Sequence, residues 1–588
     1  MGDRGEDLLL RGIFQTKNLD DILASAERAD SLKRELGPLN VTLLGIGAII
    51  GAGIFATIGT AAAGDVNRLG AGPSLMLSFA ITAIVCAFTA LCYAEFASMV
   101  PISGSAYTYS YATLGELVAW IIGWDLIIEY AVGNVAVAIS WANYFRSLLE
   151  NLGIHVPLWL ASDYRSATKI PGLFARAPHV FGVPIVFNLL AFLIVALITI
   201  VLVWGIRESA GFNAVMVGIK ILVLLFFIGA AFYFVSPHTM AAHWVPFQPN
   251  GGRGTFAGAA VVFFAYLGFD AVSTVAEETK NPKRDLPVGI IASLVICTVF
   301  YMAVAAVFTG MIPYQELVQR LGSEQAEPLT MALAYVMGGK QPWVIGFVAL
   351  GSVIAHTAVL LVFQLGQPRI FFSIARDGLL PPAFARVHRR FKTPHVTTIL
   401  TGVLVGGVAA FASIDEMVDL TNIGTLFAFI LVCVGIVILR RRDPDRPRPF
   451  RVPFGDWLLP LLGAGSCLFL MYYLPPASWW RFIGWLVLGL SIYTSYGYTR
   501  STIGRQLGRP TRTPFAMKLA SMGFLSTAIG LFVIPHDAGP ARLLGAALDA
   551  AAADHGRSLA GLVLIAVGVV FGIAGWARSG REEASPAA

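Results

Sequence analysis

The residues best suited to holding a small ligand are glycines near the start of the chain. Four of them fall within nine residues of an apolar run at 39–63: Gly45, Gly47, Gly51 and Gly53. Glycine weakens a helix and lets the backbone approach a ligand directly. In lipid, unwound backbone survives only where it lines a buried cavity or a ligand site. The alternative interpretation is close packing of helices through small residues.

A second interrupted run lies near the middle of the chain. It has the sequence Phe263–Phe264–Ala265–Tyr266–Leu267–Gly268–Phe269–Asp270, which places a glycine and a carboxylate inside an apolar span. The two interrupted runs are the first and sixth spans of the chain, and this offset is what a five-helix inverted repeat produces. Paired broken helices at corresponding positions indicate a transporter's binding site. The pairing therefore favours a ligand site over packing alone.

Broken helices predict which ligand groups can bind. The N-terminal end of a half-helix presents N–H groups and a positive dipole to a carboxylate, while carbonyls at the end of the other half suit an ammonium group. The predicted N–H donors are Gly51, Ala52 and Gly53, and the predicted carbonyl acceptors are Ala48, Ile49, Phe264 and Ala265. A ligand that carries both groups side by side is an α-amino acid. The predicted substrate-binding segments comprise Ile49, Ile50, Gly51, Ala52, Gly53, Ile54, Phe264, Ala265 and Tyr266.

Ionisable residues inside apolar spans are expensive and functional by default. Lys220 lies several residues inside the fifth span, where snorkelling to the interface is the alternative. A buried lysine there could take up and release a proton, or replace a sodium ion between helices, making transport proton-linked and sodium-independent. Glu129 and Asp270 are its predicted partners. Asp125 shares a helix face with Glu129, or else sits in water near the start of its span.

His356 lies in the middle of the eighth span. A lone buried histidine is often only a polar residue with satisfied hydrogen bonds. The other interpretation is a ligand in the substrate's side-chain pocket, or a pH-sensitive element.

Composition places these residues in a membrane protein. The chain has 588 residues, of which 56% are hydrophobic and 13% charged, and its mean hydropathy is +0.72. Soluble domains carry about 25% charged residues. Runs of about 20 apolar residues can cross a bilayer as helices. Fourteen such spans are predicted, at about 39–63, 74–98, 117–144, 183–205, 212–235, 255–276, 288–312, 343–369, 395–413, 418–439, 455–474, 479–498, 515–535 and 557–577.

The distribution of Lys and Arg predicts the orientation of these spans. With the N-terminus in the cytoplasm, about 29 of the 41 basic residues fall in cytoplasmic segments, and both termini are cytoplasmic. The predicted organisation is a cytoplasmic N-terminal segment (1–38), two five-helix repeats (39–235 and 255–440), additional helices (455–577) and a cytoplasmic tail (578–588).

Other functional classes find little support in the sequence. Because the basic residues fall in short loops, the net charge of +6 does not indicate a nucleic-acid partner. The five cysteines all lie in apolar segments without CxxC or Cys/His spacing, which argues against a disulfide framework or zinc site. No nucleophile–base set or metal cluster is apparent, so an enzyme and a cofactor are not expected.

Four motifs carry a family resemblance. They are Gly47–Ala48–Ile49–Ile50–Gly51–Ala52–Gly53–Ile54–Phe55, Tyr93–Ala94–Glu95–Phe96–Ala97–Ser98–Met99–Val100–Pro101 with Ser103–Gly104–Ser105–Ala106–Tyr107, Gly268–Phe269–Asp270 with Glu277–Glu278–Thr279–Lys280–Asn281–Pro282, and Gln367–Pro368–Arg369 with Arg376–Asp377–Gly378–Leu379. Over roughly residues 31 to 500, the chain resembles the amino acid–polyamine–organocation superfamily, and within it bacterial members of the cationic amino acid transporter family.

The resemblance implies an all-α polytopic fold built as a five-plus-five inverted repeat (LeuT-like), with helices 1 and 6 broken and alternating access. Lys220 matches the lysine that looks like the coupling residue of proton-dependent members, and Glu129 and Asp270 match its polar neighbours. Phe264 looks like the aromatic gate over the substrate. His356 departs from the family, because related sequences usually carry Met, Ser or Asn there, so the family name does not fix the substrate.

The predicted function is secondary active import of amino acids across the inner membrane, by proton symport without sodium. An exchanger of amino acids or polyamines with the same fold is the alternative, and a non-transporting amino acid sensor is a third hypothesis. The expected partners are the amino acid, protons and the lipid bilayer. The sequence leaves the substrate's side chain, the stoichiometry and the oligomeric state open.

Overall fold

A computed structural model describes residues 14–17, 35–65, 68–100, 105–205, 210–321, 327–338, 340–391, 393–509, 513, 515–534 and 555–582. This part of the chain is almost entirely helical. Two short antiparallel hairpins accompany the helices, with Gly64 opposite Leu69 in one and His179 opposite Pro184 in the other. Their strands are β1 Gly64–Asp65, β2 Arg68–Leu69, β3 His179–Val180 and β4 Val183–Pro184.

Helices cover both halves of the chain. The first half contains α1 Pro38–Ile49, α2 Ile58–Ala63, α3 Leu75–Met99, α4 Ser105–Thr113, α5 Glu116–Ile127, α6 Gly133–Asn151, α7 Tyr164–Lys169, α8 Leu173–Arg176, α9 Leu189–Trp204, α10 Ala210–Phe234, α11 Pro237–His243 and α12 Gly251–Val262. The second half contains α13 Pro282–Met311, α14 Tyr314–Leu321, α15 Pro328–Met337, α16 Pro342–Arg376, α17 His395–Phe411, α18 Ile414–Arg442, α19 Leu458–Tyr472, α20 Pro476–Ile492, α21 Tyr498–Arg500, α22 Thr502–Gln506, α23 Phe515–Val533 and α24 His555–Glu582.

Several of these helices are joined through irregular turns rather than loops. Three π-helical turns carry the chain from one helix into the next: Gly53–Thr57 before α2, Ile128–Val132 between α5 and α6, and Tyr493–Gly497 before α21. After α12 the chain forms 3-10 turns at Phe263–Tyr266 and Asp270–Glu278. π turns inside helices are rare and occur frequently at functional sites.

Length and apolarity make ten of the described helical segments long enough to cross a membrane. An eleventh is obtained if Leu458–Tyr472 and Pro476–Arg500, which bend by 117° at their junction, form one span. The helices α9 and α17, with 16 and 17 residues, are shorter than this requirement. The predicted class of all-α polytopic membrane protein is confirmed, whereas the predicted number of fourteen spans is not.

The two interrupted segments occupy the interior of the bundle. In the most apolar stretch of Pro38–Ala63, 89% of the residues are buried, and in Gly251–Ser273 the share is 94%. In Arg557–Gly575 only 22% are buried, so this helix lies at the periphery. Proline at the start of α1 suits a position whose N–H has no partner inside the helix. The two glycine-rich segments therefore lie at the centre of the helix bundle.

On the side of the bundle where α1 begins, the chain segment 14–17 packs against α4, α5 and the end of α16. The backbone N–H of Lys17 donates to the Tyr111 carbonyl, and the Glu116 N–H donates to the Gln15 carbonyl. The Lys17 ammonium pairs with Asp377 at 2.5 Å, and the Tyr107 hydroxyl donates to the same carboxylate at 2.8 Å. These contacts join the segment 14–17 to three helices on this side of the bundle.

Candidate functional site

The first interrupted helix stops where the glycines predict. The last N–H bonded back into α1 is that of Ile50, which donates to the Ile46 carbonyl at 2.9 Å. Ile50 itself has an extended conformation, with φ −74° and ψ 104°. The chain bends at Gly51 and resumes as the π turn Gly53–Thr57. The first N–H groups of such a turn have no acceptor inside it, so this segment can offer donors to a ligand.

The second interrupted helix breaks one turn after α12 ends. Leu267 is extended, with φ −59° and ψ 142°. Gly268 has φ +108°, a conformation that residues with a side chain rarely adopt. A Cβ atom on Gly268 would lie 2.9 Å from the carbonyl carbon and oxygen of Ala48 in the first broken helix. Glycine at 268 is therefore required both by its backbone conformation and by its contact with the other break.

The two breaks cross with their backbones in contact. A Cβ on Gly53 would lie 2.1 Å from the Cα of Ala265 and 2.8 Å from its nitrogen. Gly53 with Ala265, and Ala48 with Gly268, thus form two contact points between segments more than 200 residues apart. Helix packing and ligand binding were alternative explanations for the glycines, and at Gly53 the packing explanation applies directly.

A small cavity lies at this crossing. Its volume is about 10 Å³, which is room for about one water molecule. Backbone and side chains from both breaks and from α6 and α16 line it: Ala48, Ile49, Gly51, Ala52, Gly53, Val137, Phe264, Leu267, Val359 and Phe363. Five of the predicted substrate-binding residues are in this lining. All of the side chains that line the cavity in the described part of the chain are apolar.

A much larger cavity, of about 620 Å³, opens on the α2 side of the crossing. Ala56 and Thr57 of the π turn line it. Paired charges lie around it: Arg68 bonds to Asp65 and Asp419, Arg146 pairs with Glu327, and Arg165 and Arg481 pair with Glu416. We call this cavity the vestibule.

The surroundings of Glu327, a vestibule carboxyl outside the spanning helices, change its pKa. Burial raises the pKa of Glu327 above its usual value, and the neighbouring Arg146 guanidinium opposes the rise. Their ion pair, with N–O distance 2.9 Å, joins α6 to the start of α15. The Arg68–Asp419 pair likewise joins the strand β2 to α18, so the two pairs connect different elements of the vestibule wall.

Lys220 is completely buried and points at the first break. Its Nζ donates to the carbonyl of Gly47 at 2.5 Å and to that of Ile50 at 2.9 Å. Gly47 lies in the last turn of α1 and Ile50 directly follows the helix, where backbone acceptors lose their helical partners. Snorkelling to the interface is excluded by this position. The prediction that Lys220 lies inside the protein is therefore correct, and the group it contacts is the backbone of the broken helix.

Two tyrosines bind other carbonyls of the broken segment. The Tyr301 hydroxyl, from α13, donates to the Ile49 carbonyl at 2.9 Å. The Tyr144 hydroxyl, from α6, donates to the Phe55 carbonyl at 2.5 Å. Neither tyrosine was expected at the site, because a tyrosine inside an apolar span gives no indication of which backbone it meets. Ile49 was predicted to supply a carbonyl acceptor to the substrate, and its carbonyl already has this partner.

Glu129 and Asp270, which were predicted as partners of Lys220, lie beside each other in the structure. Glu129 lies in the π turn Ile128–Val132, beside Asp270, Asp125 and Thr425. Asp270 follows the second break and also neighbours Tyr130. All three carboxylates are nearly or completely buried. The alternative that Asp125 sits in water is wrong, because its exposed fraction is 1%.

His356 lies behind the crossing, with both ring nitrogens engaged. Nδ1 is 2.6 Å from the Ser352 carbonyl, which can only accept, so Nδ1 carries a hydrogen. Nε2 is 2.7 Å from the Ser140 hydroxyl. The ring packs against Phe55 and Tyr144, with centroids 5.7 Å away in each case. It is fully buried and touches the π turn through Phe55 rather than lining the small cavity.

The remaining predicted positions lie around the crossing. Tyr266 turns its ring to Phe79 and Tyr301, and its hydroxyl donates to the Phe79 carbonyl at 2.9 Å. Ile54 is completely buried in the core. In the parts of the chain that the structure describes, no three His, Cys, Asp or Glu side chains cluster as metal ligands.

Asn422 is a further residue that sequence reasoning missed. Its side-chain nitrogen donates to the carbonyls of Ala260 at 2.8 Å and Val261 at 3.2 Å, just before the second break. Asn422 thereby joins α18 to the end of α12, where the helix loosens into a 3-10 turn. An asparagine inside the apolar helix α18 was a detectable signal, since buried amides in lipid need partners.

Comparison with known proteins identifies the family. The family model described as amino acid permease matches residues 36–492. The match ends before α23 and α24 begin. The chain is 46% identical to the branched-chain amino acid permease BcaP of Bacillus subtilis, over 84% of this chain and 99% of that protein. It is 43% identical to the methylthioribose transporter of Bacillus subtilis, over 84% of this chain and all of that protein.

A plant relative shows how far the similarity extends. The vacuolar cationic amino acid transporter 2 of Arabidopsis thaliana is 36% identical, over 75% of this chain and 65% of that protein. The resemblance to the amino acid–polyamine–organocation superfamily, predicted from the motifs, is confirmed, and the family consists of permeases rather than enzymes. The chain belongs to the amino acid permease family of membrane transporters.

Proposed function

We propose that this protein imports amino acids across the bacterial plasma membrane by alternating access, driven by protons and independent of sodium. The observation that carries the proposal is the crossing of two broken helices, with Gly53 against Ala265 and Ala48 against Gly268. Such a crossing brings backbone N–H and C=O groups from two half-helices to one point inside the membrane.

The backbone at the crossing binds the part that all amino acids share. The N–H groups at the start of the π turn, from Gly51 to Gly53, receive the carboxylate. Carbonyls beside the cavity, from Ala48 and Phe264, receive the ammonium group. The site lies between the vestibule and the side of the bundle against which segment 14–17 packs. Its small volume corresponds to a conformation that has contracted around the crossing.

The side-chain end of the substrate meets an apolar surface. Val137, Leu267, Val359 and Phe363 line the cavity, and the aromatic pair Phe55–Tyr144 packs against His356 nearby. A Lys or Arg side chain would be desolvated here without a carboxylate to pair with. We therefore propose amino acids with apolar, uncharged side chains as the substrates. The name of the Bacillus subtilis branched-chain amino acid permease supports this choice.

Coupling to protons is assigned to Lys220, with Glu129 and Asp270. The Lys220 ammonium makes charge-assisted bonds to the Gly47 and Ile50 carbonyls, and such bonds are roughly twice as strong as neutral ones. Loss of the proton weakens this connection between α10 and the broken helix. The protonation state of Lys220 is thereby linked to the conformation of the substrate site.

Orientation and internal symmetry follow from the same proposal. The vestibule faces the outside, both termini face the cytoplasm, and the segment 14–17 closes the cytoplasmic side. The first repeat spans 39–235 and the second 255–440, with one broken helix at the start of each; residues 455–577 form the additional helices. The equivalent positions of the two breaks support this division.

Uptake into proteoliposomes tests the proposed function. A panel of labelled branched-chain, aromatic, acidic and cationic amino acids is measured in sodium-free buffer, with and without an inward proton gradient. The proposal predicts gradient-driven accumulation of the apolar members. Uptake that does not depend on the proton gradient but requires amino acid inside the vesicles would instead establish exchange. Binding of an amino acid without transport would indicate a sensor.

Replacing His356 by alanine should change the order of substrate preference. Removal of the ring leaves space behind Phe55 and Tyr144. The uptake rate of larger apolar substrates, measured against that of the substrate L-alanine, should therefore rise roughly fivefold, equivalent to about 1 kcal/mol. Ser140→Ala is the matched control, because it removes the hydrogen bond to Nε2 and retains the ring. Competition against labelled substrate measures both variants. An unchanged order in His356→Ala would assign the ring a purely structural role.

A further inference from the structure

A third buried carboxylate lies next to the proposed coupling residues. Asp125 occupies the last turn of α5, directly before the π turn that contains Glu129. Its exposed fraction is 1%, and neither carboxylate oxygen has a hydrogen-bond partner among the described residues. A buried carboxylate that accepts no hydrogen bond and faces no cation is much less stable ionised than protonated.

The carboxylate fits against the backbone of α18. A Cβ on Gly424 would lie 2.8 Å from Oδ1 of Asp125, so glycine at 424 leaves the space that the carboxylate occupies. Thr421, Asn422 and Thr425 place further polar side chains on this part of α18, all with no exposed surface. Asp125 therefore packs directly against the backbone of α18, a helix that also carries these buried polar side chains.

The titratable groups around this region are acids and phenols, with Tyr93 beside Glu129 and Asp270, and Tyr109 beside Asp270. Glu129 comes from the same span, Asp270 from the segment after the second break, and Tyr130 lies beside Asp270. Arg369 of α16 acts electrostatically on Tyr130. Three carboxyls without a cation among them can be accommodated only if protons neutralise them, since like charges at short range oppose one another.

We propose that Asp125 is a proton-binding site of the transport cycle, additional to Lys220, Glu129 and Asp270. In the described conformation its carboxyl is protonated and packs beside Gly424. When the cytoplasmic side opens, water reaches the carboxyl, its O–H bond breaks and the proton passes to that water. Reprotonation from the outside returns the site to its starting state. This inference rests on the proposed function, because it requires transport to carry protons.

The variant Asp125→Asn separates proton transfer from structure. The amide has the shape of a protonated carboxyl, so the described conformation should be kept and the release of the proton lost. In proteoliposomes, exchange of internal for external labelled substrate should stay within about twofold of the unmodified protein. Accumulation driven by a proton gradient should fall at least tenfold. A pH-sensitive dye inside the vesicles should show fewer protons entering per substrate.

Controls assign each outcome. Asp445→Asn, the same change in the exposed loop after α18, should leave both measurements unaltered. If the unmodified protein shows no proton-driven uptake, the proposed function fails, whatever the variant does. If the unmodified protein is coupled and Asp125→Asn carries the same number of protons per substrate, this inference alone is overturned. An Asp125→Asn chain that does not fold also contradicts it, because the amide reproduces the protonated group.

Discussion

Replacing Lys220 by methionine should abolish proton-driven uptake and lower the transport rate by about 100-fold. Methionine preserves most of the length and apolar volume of lysine, but it donates nothing to the Gly47 and Ile50 carbonyls. A buried acceptor that loses its partner costs about 1–3 kcal/mol. For two carbonyls a loss of about 3 kcal/mol corresponds to the stated factor, at about 1.4 kcal/mol for each tenfold change.

The measurement distinguishes loss of coupling from loss of folding. Uptake by purified Lys220→Met protein is compared across external pH values, with thermal unfolding recorded on the same samples. Lys518→Met, the same substitution at an exposed position of α23, is the matched control. Lys220→Arg should retain substrate exchange but lose pH dependence, since arginine keeps its charge throughout. Full pH-dependent uptake by Lys220→Met would remove Lys220 from the mechanism.

The sequence predicted where the helices break because the cause is local. Glycine clusters weaken a helix wherever they occur, and the positions Ile50–Ile54 and Phe264–Gly268 both coincide with interruptions in the structure. The buried location of Lys220 was predictable for a similar reason, since a long apolar run surrounds it. Interruption and burial depend on the immediate neighbours in the chain.

Contacts across the fold were not predictable in the same way. The local sequence does not indicate that Lys220 and Tyr301 donate hydrogen bonds to carbonyls of α1. Nor does it indicate that Asn422 donates to those of α12. Carbonyls are common to all residues, so a backbone acceptor leaves no pattern in a single sequence. The bend of 117° between α19 and α20 escaped prediction as well, because it depends on tertiary packing.

The site combines a constant part and a variable part. Polar side chains from α6, α10 and α13 hold the broken segment through its carbonyls, so most of the binding geometry is backbone. Side chains then determine only what lies beyond the amino acid's common groups, and those lining the cavity are apolar. A change at Val359 or Phe363 should therefore alter substrate preference, whereas a change in the backbone crossing should affect all substrates equally.

Gly53→Ala should produce that general loss, with uptake of every substrate reduced at least 100-fold. The added Cβ would lie 2.1 Å from the Cα of Ala265, a distance that no rotamer change can relieve because the atom it meets belongs to the backbone. Overpacking of a core commonly costs about 1–3 kcal/mol. Here the two breaks must move apart, which removes the arrangement of N–H and C=O groups that binds the substrate.

Gly407→Ala is the control for this variant, because a Cβ at that position in α17 meets nothing within 4 Å. Its uptake should stay within about twofold of the unmodified protein, since alanine suits a helix better than glycine. Ala265→Gly should fail to rescue Gly53→Ala, since the clashing Cα remains when the methyl group is removed. Rescue would show that the methyl group of Ala265, rather than its backbone, limits the approach of the two helices. Substrate binding to detergent-solubilised protein, measured beside uptake, identifies the crossing as the common binding element if all substrates lose affinity together.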